Sequence, residues 1–113
     1  MIWNNQPQYI YVLVRKDLPL ADQVVQVGHA CYDAGHFWGK KGVHLILLQV
    51  ENEKELMKWV DSLNIVHIKH TTFYEPDPAE EINDQPMGCT ALCTEPLHGK
   101  RREIFADCVL WVP

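Results

Sequence analysis

Apolar residues run almost unbroken through YIYVLVR (9–15). The block is rich in β-branched and aromatic side chains and predicts a central strand buried on both faces. Pro19 marks a turn or a first helical position, and from Leu20 to about Phe37 the period becomes helical. In projection Val24, Val27, Gly28, Cys31, Ala34 and Gly35 share the side expected to be buried, while Gln26, His29, Asp33 and His36 gather opposite. Gly28 and Gly35 weaken a helix, which is tolerable where the helix lies close against a sheet.

The alternation continues downstream. VHLILLQV (43–50) predicts a second buried strand. ENEKELMKWVDSLN (51–64) predicts an amphipathic helix with Leu56, Trp59, Val60 and Leu63 on one side. IVHIKHT (65–71) alternates as a strand with one exposed face, and CTALCT (89–94) reads as a fourth strand. Between them, FYEPDPAEEINDQPMG (73–88) is an acidic, proline-rich connection, long for a compact domain and therefore a candidate functional element. GKRREIFADC (99–108) reads as a short helix and VLWVP as a terminal extended piece. The order β-α-β-α-β-β-α predicts a small single α/β domain over 1–113, with a right-handed parallel crossover and helices on both faces of a four-stranded sheet. The 73–88 connection permits antiparallel pairing of the last two strands.

A chain of 113 residues, 47% hydrophobic and 22% charged, is suited to one globular core. No apolar run approaches the length of a membrane span. MIWNNQPQ lacks the basic-then-apolar pattern of a signal peptide, so a cytoplasmic protein with no membrane partner is expected. In that compartment Cys31, Cys89, Cys93 and Cys108 are expected as reduced thiols. Cys31 falls on the predicted buried helix face, and Cys89 and Cys93 on one strand face about 13 Å apart, too far to share a zinc ion. His29 and His36 stand about 10 Å apart along the helix axis, so no metal is expected. Nothing resembles a nucleophile elbow or a phosphate-binding glycine loop.

The net charge of −5 opposes general attraction to a phosphate backbone. A nucleic-acid role therefore needs a local basic patch, and two are available. HGKRRE (98–103) supplies Lys100, Arg101 and Arg102, and WGKKG (38–42) supplies Lys40 and Lys41 beside Trp38. Three cations at a helix N-terminus oppose the macrodipole. Phosphate contact is one explanation for them and simple surface solvation the other; Trp38 serves equally as ligand lip or hydrophobic anchor.

The strand ending in Arg15, Asp17 and Leu18 (Arg-x-Asp-Leu), followed by a helix carrying Gln26, His29 and Ala30 (Gln-x-x-His-Ala), resembles the type II peptidyl-tRNA hydrolases. The likeness is strongest to their divergent peptidyl-tRNA hydrolase domain-containing branch, and extends in element order over essentially the whole chain, through TALCTEP. It implies a mixed sheet between helices, often a homodimer, and hydrolysis of the ester joining a peptide to the tRNA 3′ end without metal or cofactor. Active family members carry a lysine near the start of the first helix, an Asp-x-Gly-type motif before the last strand and a threonine on that strand. Thr90 matches the threonine and Glu75 best matches the aspartate, as a longer carboxylate. The lysine is missing from PLADQVV; Asp22 falls nearest its place, and Lys16 lies near the same strand end. The glycine and neighbouring threonine of the loop motif are replaced by PDPAEEINDQP.

Ester hydrolysis needs an oriented water, a base and donors to the developing oxyanion. The resemblance assigns that chemistry to Glu75 and Thr90, with His29 and Asp17 supporting. Substrate contacts fall to Lys16, Gln26, Lys40, Lys41, Lys100, Arg101 and Arg102, with peptidyl-tRNA as partner. The alternative is a catalytically inactive module of the same fold, binding a nucleotide, a small phosphorylated ligand or a protein partner; a purely structural dimer is a third possibility. The lost lysine, remodelled loop and acidic charge favour the binding module; the Arg15–Ala30 and 89–96 patterns favour the enzyme.

Overall fold

The computed structural model of the chain describes residues 6–75 and 87–113. The sheet has five strands in the order β3-β4-β1-β2-β5: β1 Tyr9–Arg15, β2 His44–Val50, β3 His70–Glu75, β4 Gly88–Thr94 and β5 Val109–Leu110. Helix α1 spans Leu20–Trp38, α2 spans Glu53–Ile65, and a 3₁₀ helix covers Gly99–Phe105. β1 and β2 pair in parallel from Tyr9↔His44 to Arg15↔Val50. β4 is antiparallel to both β1 and β3, and β5 is antiparallel to β2. The protein is thus a small α/β domain with a mixed sheet, as the element order predicts. The expected four strands become five because VLWVP adds β5, tied on by Trp111 N–H donating to Leu47 O at 2.9 Å.

The central strand divides its side chains between two cores, as alternation requires. Tyr11 and Leu13 join Leu48, Val50 and Leu92 on one face, covered by Leu56 and Leu63 of α2 and Phe105 of the 3₁₀ helix. Val12 and Val14 join Ala91 and Cys93 on the other face, covered by Ala30 and Ala34 of α1. Helices do lie on both faces. Asn52 starts α2 by accepting the Glu55 N–H at 3.0 Å, which satisfies one orphan donor of the first turn, while Glu55 ties down the residue before the cap by accepting the Glu51 N–H at 2.7 Å.

Several expectations need correction. The strand expected at 65–71 begins at His70. Ile65 still belongs to α2, and the helix closes through Val66 N–H to Ser62 O and Ile68 N–H to Leu63 O, while Ile68 drops into the core. Apolar alternation there records a helix end packing down, with His67 in the left-handed region (φ 59°). The buried side of α1 is also rotated: Gln23, Gln26, Ala30 and Ala34 are buried, whereas Val24 is 58% exposed. A Cβ built on Gly28 or Gly35 would meet nothing within 4 Å, so close approach to the sheet does not explain those glycines. Cys89 and Cys93, finally, point into opposite cores. The β3–β4 register shifts between Phe73 and Tyr74. There Phe73 pairs with Ala91 and Tyr74 with Cys89, leaving Thr90 as the extra residue of a β-bulge, which reverses the alternation on β4. GKRREIFADC forms a 3₁₀ helix only to Phe105, and the outer end of β2, at His44 and Leu45, is exposed.

Candidate functional site

The bulge in β4 turns Thr90 toward α1 although its neighbour Ala91 also faces that helix. The Thr90 hydroxyl donates to Gln26 Oε1 at 2.7 Å, with Phe73 O a more distant acceptor at 3.3 Å. Both side chains are buried, and burying a glutamine amide is tolerated only where it finds such partners. One turn further along α1, the exposed His29 ring stacks on Phe73 of β3 with centroids 4.4 Å apart and planes within 3°. Gln26, His29, Phe73 and Thr90 therefore form one cluster where α1 crosses the β3–β4 hairpin. Glu75 lies two residues beyond Phe73, so alternation along β3 puts it on the α1 side about 7 Å further along the strand. It is half-buried, and its carbonyl accepts the Met87 N–H at 2.7 Å. The acidic PDPAEEINDQP segment lies outside the described residues.

Beside this cluster, at the end of β1, Arg15 grips Asp17 with two hydrogen bonds of 2.9 Å. It also donates to Cys89 O at 3.2 Å and to Met87 O. The hydrogen bonds and charge of Asp17 hold the guanidinium above its ordinary pKa, against the opposing effect of burial. Asp17 is thus engaged as the partner of an arginine that clamps the start of β4. Glu53, on the other face at the start of α2, completes the clamp by accepting the Cys89 N–H at 2.6 Å. Gly88 takes φ +78°, a left-handed conformation that favours glycine, and a side chain there would have to displace the Glu53 carboxylate. Glu53, Phe73 and Gly88 are structural parts of the site that the sequence pattern did not single out, and Arg15 was singled out there only as a motif residue. A three-residue spacing of Gln23 and Gln26 leading into Ala30 and Ala34 was the available signal for the polar buried face.

Lys16 is turned away from the cluster. Its Nζ donates to Val112 O at 2.6 Å and lies 5.5 Å from the Trp111 ring centroid. Trp111 in turn donates to Gln23 Oε1 at 2.7 Å, and Gln23 donates to Leu18 O at 2.7 Å. This chain of contacts fixes the entrance to α1 and commits Lys16 to the C-terminal segment.

The two basic stretches meet at the other end of α1. Lys40 and Arg101, with Trp38, His98, Gln8 and Glu95, line a cleft of about 360 Å³. Lys40 bonds Gln8 Oε1 at 3.3 Å, and Arg101 bonds both Glu95 and His67 O at 3.2 Å. Lys41 and Lys100 are exposed. Arg102 goes to the opposite face, where its Nε donates to Tyr11 Oη at 2.7 Å. Along the axis, about 14 Å separates His29 from Trp38.

The thiols follow their packing. Burial pushes Cys89 up to about 11, helped by the negative Glu53. Cys93 is raised chiefly through its hydrogen bond with Cys31, and the same bond lowers Cys31. Among the described residues no group of three His, Cys, Asp or Glu side chains gathers as a metal site, and no helix is long and apolar enough to cross a membrane. No protein-family model matches the chain, and no curated protein matches it.

Proposed function

We propose that the chain is a divergent hydrolase of the type II peptidyl-tRNA hydrolase kind, cleaving the ester between a peptide and the 3′ end of tRNA in the cytoplasm. The observation that carries this reading is the 2.7 Å hydrogen bond between Thr90 and Gln26. It joins the two segments on which the resemblance rests, 64 residues apart in the chain, into one cluster with His29. In the proposed reaction a water attacks the ester carbonyl carbon as Glu75 takes its proton, and Glu75 then passes that proton to the ribose 3′ oxygen, which leaves with the tRNA as the carbonyl–oxygen bond breaks. Glu75 is the base because it is the carboxylate on the α1 side of β3 nearest the cluster. The buried Thr90–Gln26 pair is a positioning pair that locks β4 to α1, and Asp17 acts through Arg15 by fixing the start of β4.

The flat His29–Phe73 stack offers a platform for the terminal nucleobase, since aromatic faces hold unpaired bases without sequence preference. Lys40 and Arg101 then supply phosphate contacts at the far end of the same helix. Two local cations on a chain of net charge −5 imply modest affinity with a shallow salt dependence, because the slope scales with the number of phosphates neutralised. Incubating the protein with N-acetylated aminoacyl-tRNA and following release of the blocked amino acid tests the proposal. Release above the uncatalysed rate that is lost in Glu75→Gln supports it; no release at micromolar protein overturns it.

A specific observation favours the second reading, a non-catalytic module of the same fold. Lys16, the cation nearest the missing family lysine, is occupied by Val112, and Thr90 is fully buried. Under that reading the His29–Phe73 platform still binds a nucleotide or the tRNA end, and the ester survives.

A further inference from the structure

A half-buried arginine lines a cavity on the α2 face of the sheet, where the proposed ester chemistry has no use for it. The cavity, about 490 Å³, lies between the 3₁₀ helix and the β2–β5 edge. Ile46 and Leu48 of β2 and Leu110 of β5 form one wall, Phe105 and Cys108 the other, with Tyr11 and Arg102 also in the lining. The volume is in the range that holds small organic ligands. Burial pushes the Cys108 thiol up to about 11, with Glu55 and Asp107 adding to it. At neutral pH that wall is therefore uncharged.

Arg102 is held rigidly. Its guanidinium carbon sits 3.5 Å from the Tyr9 ring centroid, and its Nε donates to Tyr11 Oη at 2.7 Å. Tyr11 is itself stacked on Phe105 at 4.3 Å. The ion pairs among the described residues are Arg15–Asp17 and Arg101–Glu95, so Arg102 is matched with no carboxylate there. Stacking offsets part of the cost of withdrawing a cation from water. It leaves the two Nη groups, the fork that suits a carboxylate in bidentate fashion, without a protein acceptor among the described residues. Glu103, exposed on the rim, is the one acidic side chain in the lining.

We propose that this cavity binds a small amphipathic carboxylate, its head on the Nη fork of Arg102 and its apolar body along Ile46, Leu48, Phe105 and Leu110. The site is independent of the ester-hydrolase reading, since it lies on the opposite face of the sheet from Thr90 and His29.

Titration of the ¹⁵N-labelled protein with octanoate, N-acetylleucine and octanol tests it and distinguishes a fatty acid from an acylated amino acid. The better-fitting carboxylate should bind at least about tenfold more tightly than octanol and shift the amides of Leu48, Phe105 and Leu110. Arg102→Met should abolish that preference, and Arg102→Lys should keep only part of it. Glu103→Gln should tighten carboxylate binding by removing a like charge. Should Arg102→Met fail to fold, the Lys and Gln variants decide the matter. Equal affinity for octanol and both carboxylates, shifts confined to other regions, or no response up to millimolar ligand would overturn the proposal.

Discussion

Against α2 the sheet presents Tyr11, Leu13, Leu48 and Leu92 and receives Leu56 and Leu63 in return. Against α1 it presents Val12, Val14, Ala91 and Cys93 and receives Ala30, Ala34 and two buried glutamines. The first face is filled by large aliphatic side chains whose burial gives stability directly. The second is made of small side chains and polar groups that need specific partners, Thr90 for Gln26 and Trp111 for Gln23. The β-bulge and the exposed His29 ring stacked on Phe73 border this second face. Stability and candidate chemistry are thus separated by the thickness of one sheet.

Substitutions on the two faces should therefore fail in different ways. Leu56→Ala should give the largest loss of stability, about 3 kcal/mol by denaturant unfolding, with ester release per folded molecule unchanged. Thr90→Val should cost less, about 1–3 kcal/mol, because it leaves the Gln26 carbonyl buried without a donor; it should abolish release, and Thr90→Ser should restore both. If Leu56→Ala impaired release as strongly as Thr90→Val at equal folded fraction, the division between the faces would not hold.

The thiols sharpen the comparison through pH. Cys89 and Cys108, on the α2 side, have folded-state values raised from 9.0 to about 11. Their neutral forms are favoured on folding, so this contribution is fully present below pH 9 and is lost as pH rises through 11. The melting temperature should fall across that window, and the fall should shrink in Cys89→Ala measured against its own neutral-pH value. The smallest effect is kinetic. On the α1 side Cys31 is half-buried and lowered by its bond to Cys93, so limited iodoacetamide should alkylate Cys31 before the other three, as peptide mass spectrometry would show. Faster labelling of Cys89 or Cys108 would contradict the packing described.

What could be read in the sequence follows the same division. The strand Tyr9–Arg15 and the helix Leu20–Trp38 match the predicted spans closely, because a strand buried on both sides and a long helix each impose a strong pattern. The α2 face was equally plain: Leu56 and Leu63 are fully buried as the amphipathic pattern requires. The α1 face was not, since ranking positions by apolarity selects Val24 over Gln26. The burial of Gln26 depends on Thr90, and that of Gln23 on Trp111, partners that only the folded chain supplies. The bulge at Thr90 is a property of the β3–β4 pairing and leaves no mark on β4 alone. The start of β3 was obscured because Ile65, Val66 and Ile68 alternate in the same way whether they form a strand or end a helix.

The most direct measurement is an amide chemical-shift map with a tRNA acceptor end carrying an N-acetylated amino acid through a non-hydrolysable 3′ amide. Shifts should concentrate on the α1 face, at Gln26, His29, Phe73 and Thr90, extend to Lys40 and Arg101 and weaken as salt is raised. Shifts concentrated on the α2 face, or none at any salt concentration that keeps the protein folded, would contradict it.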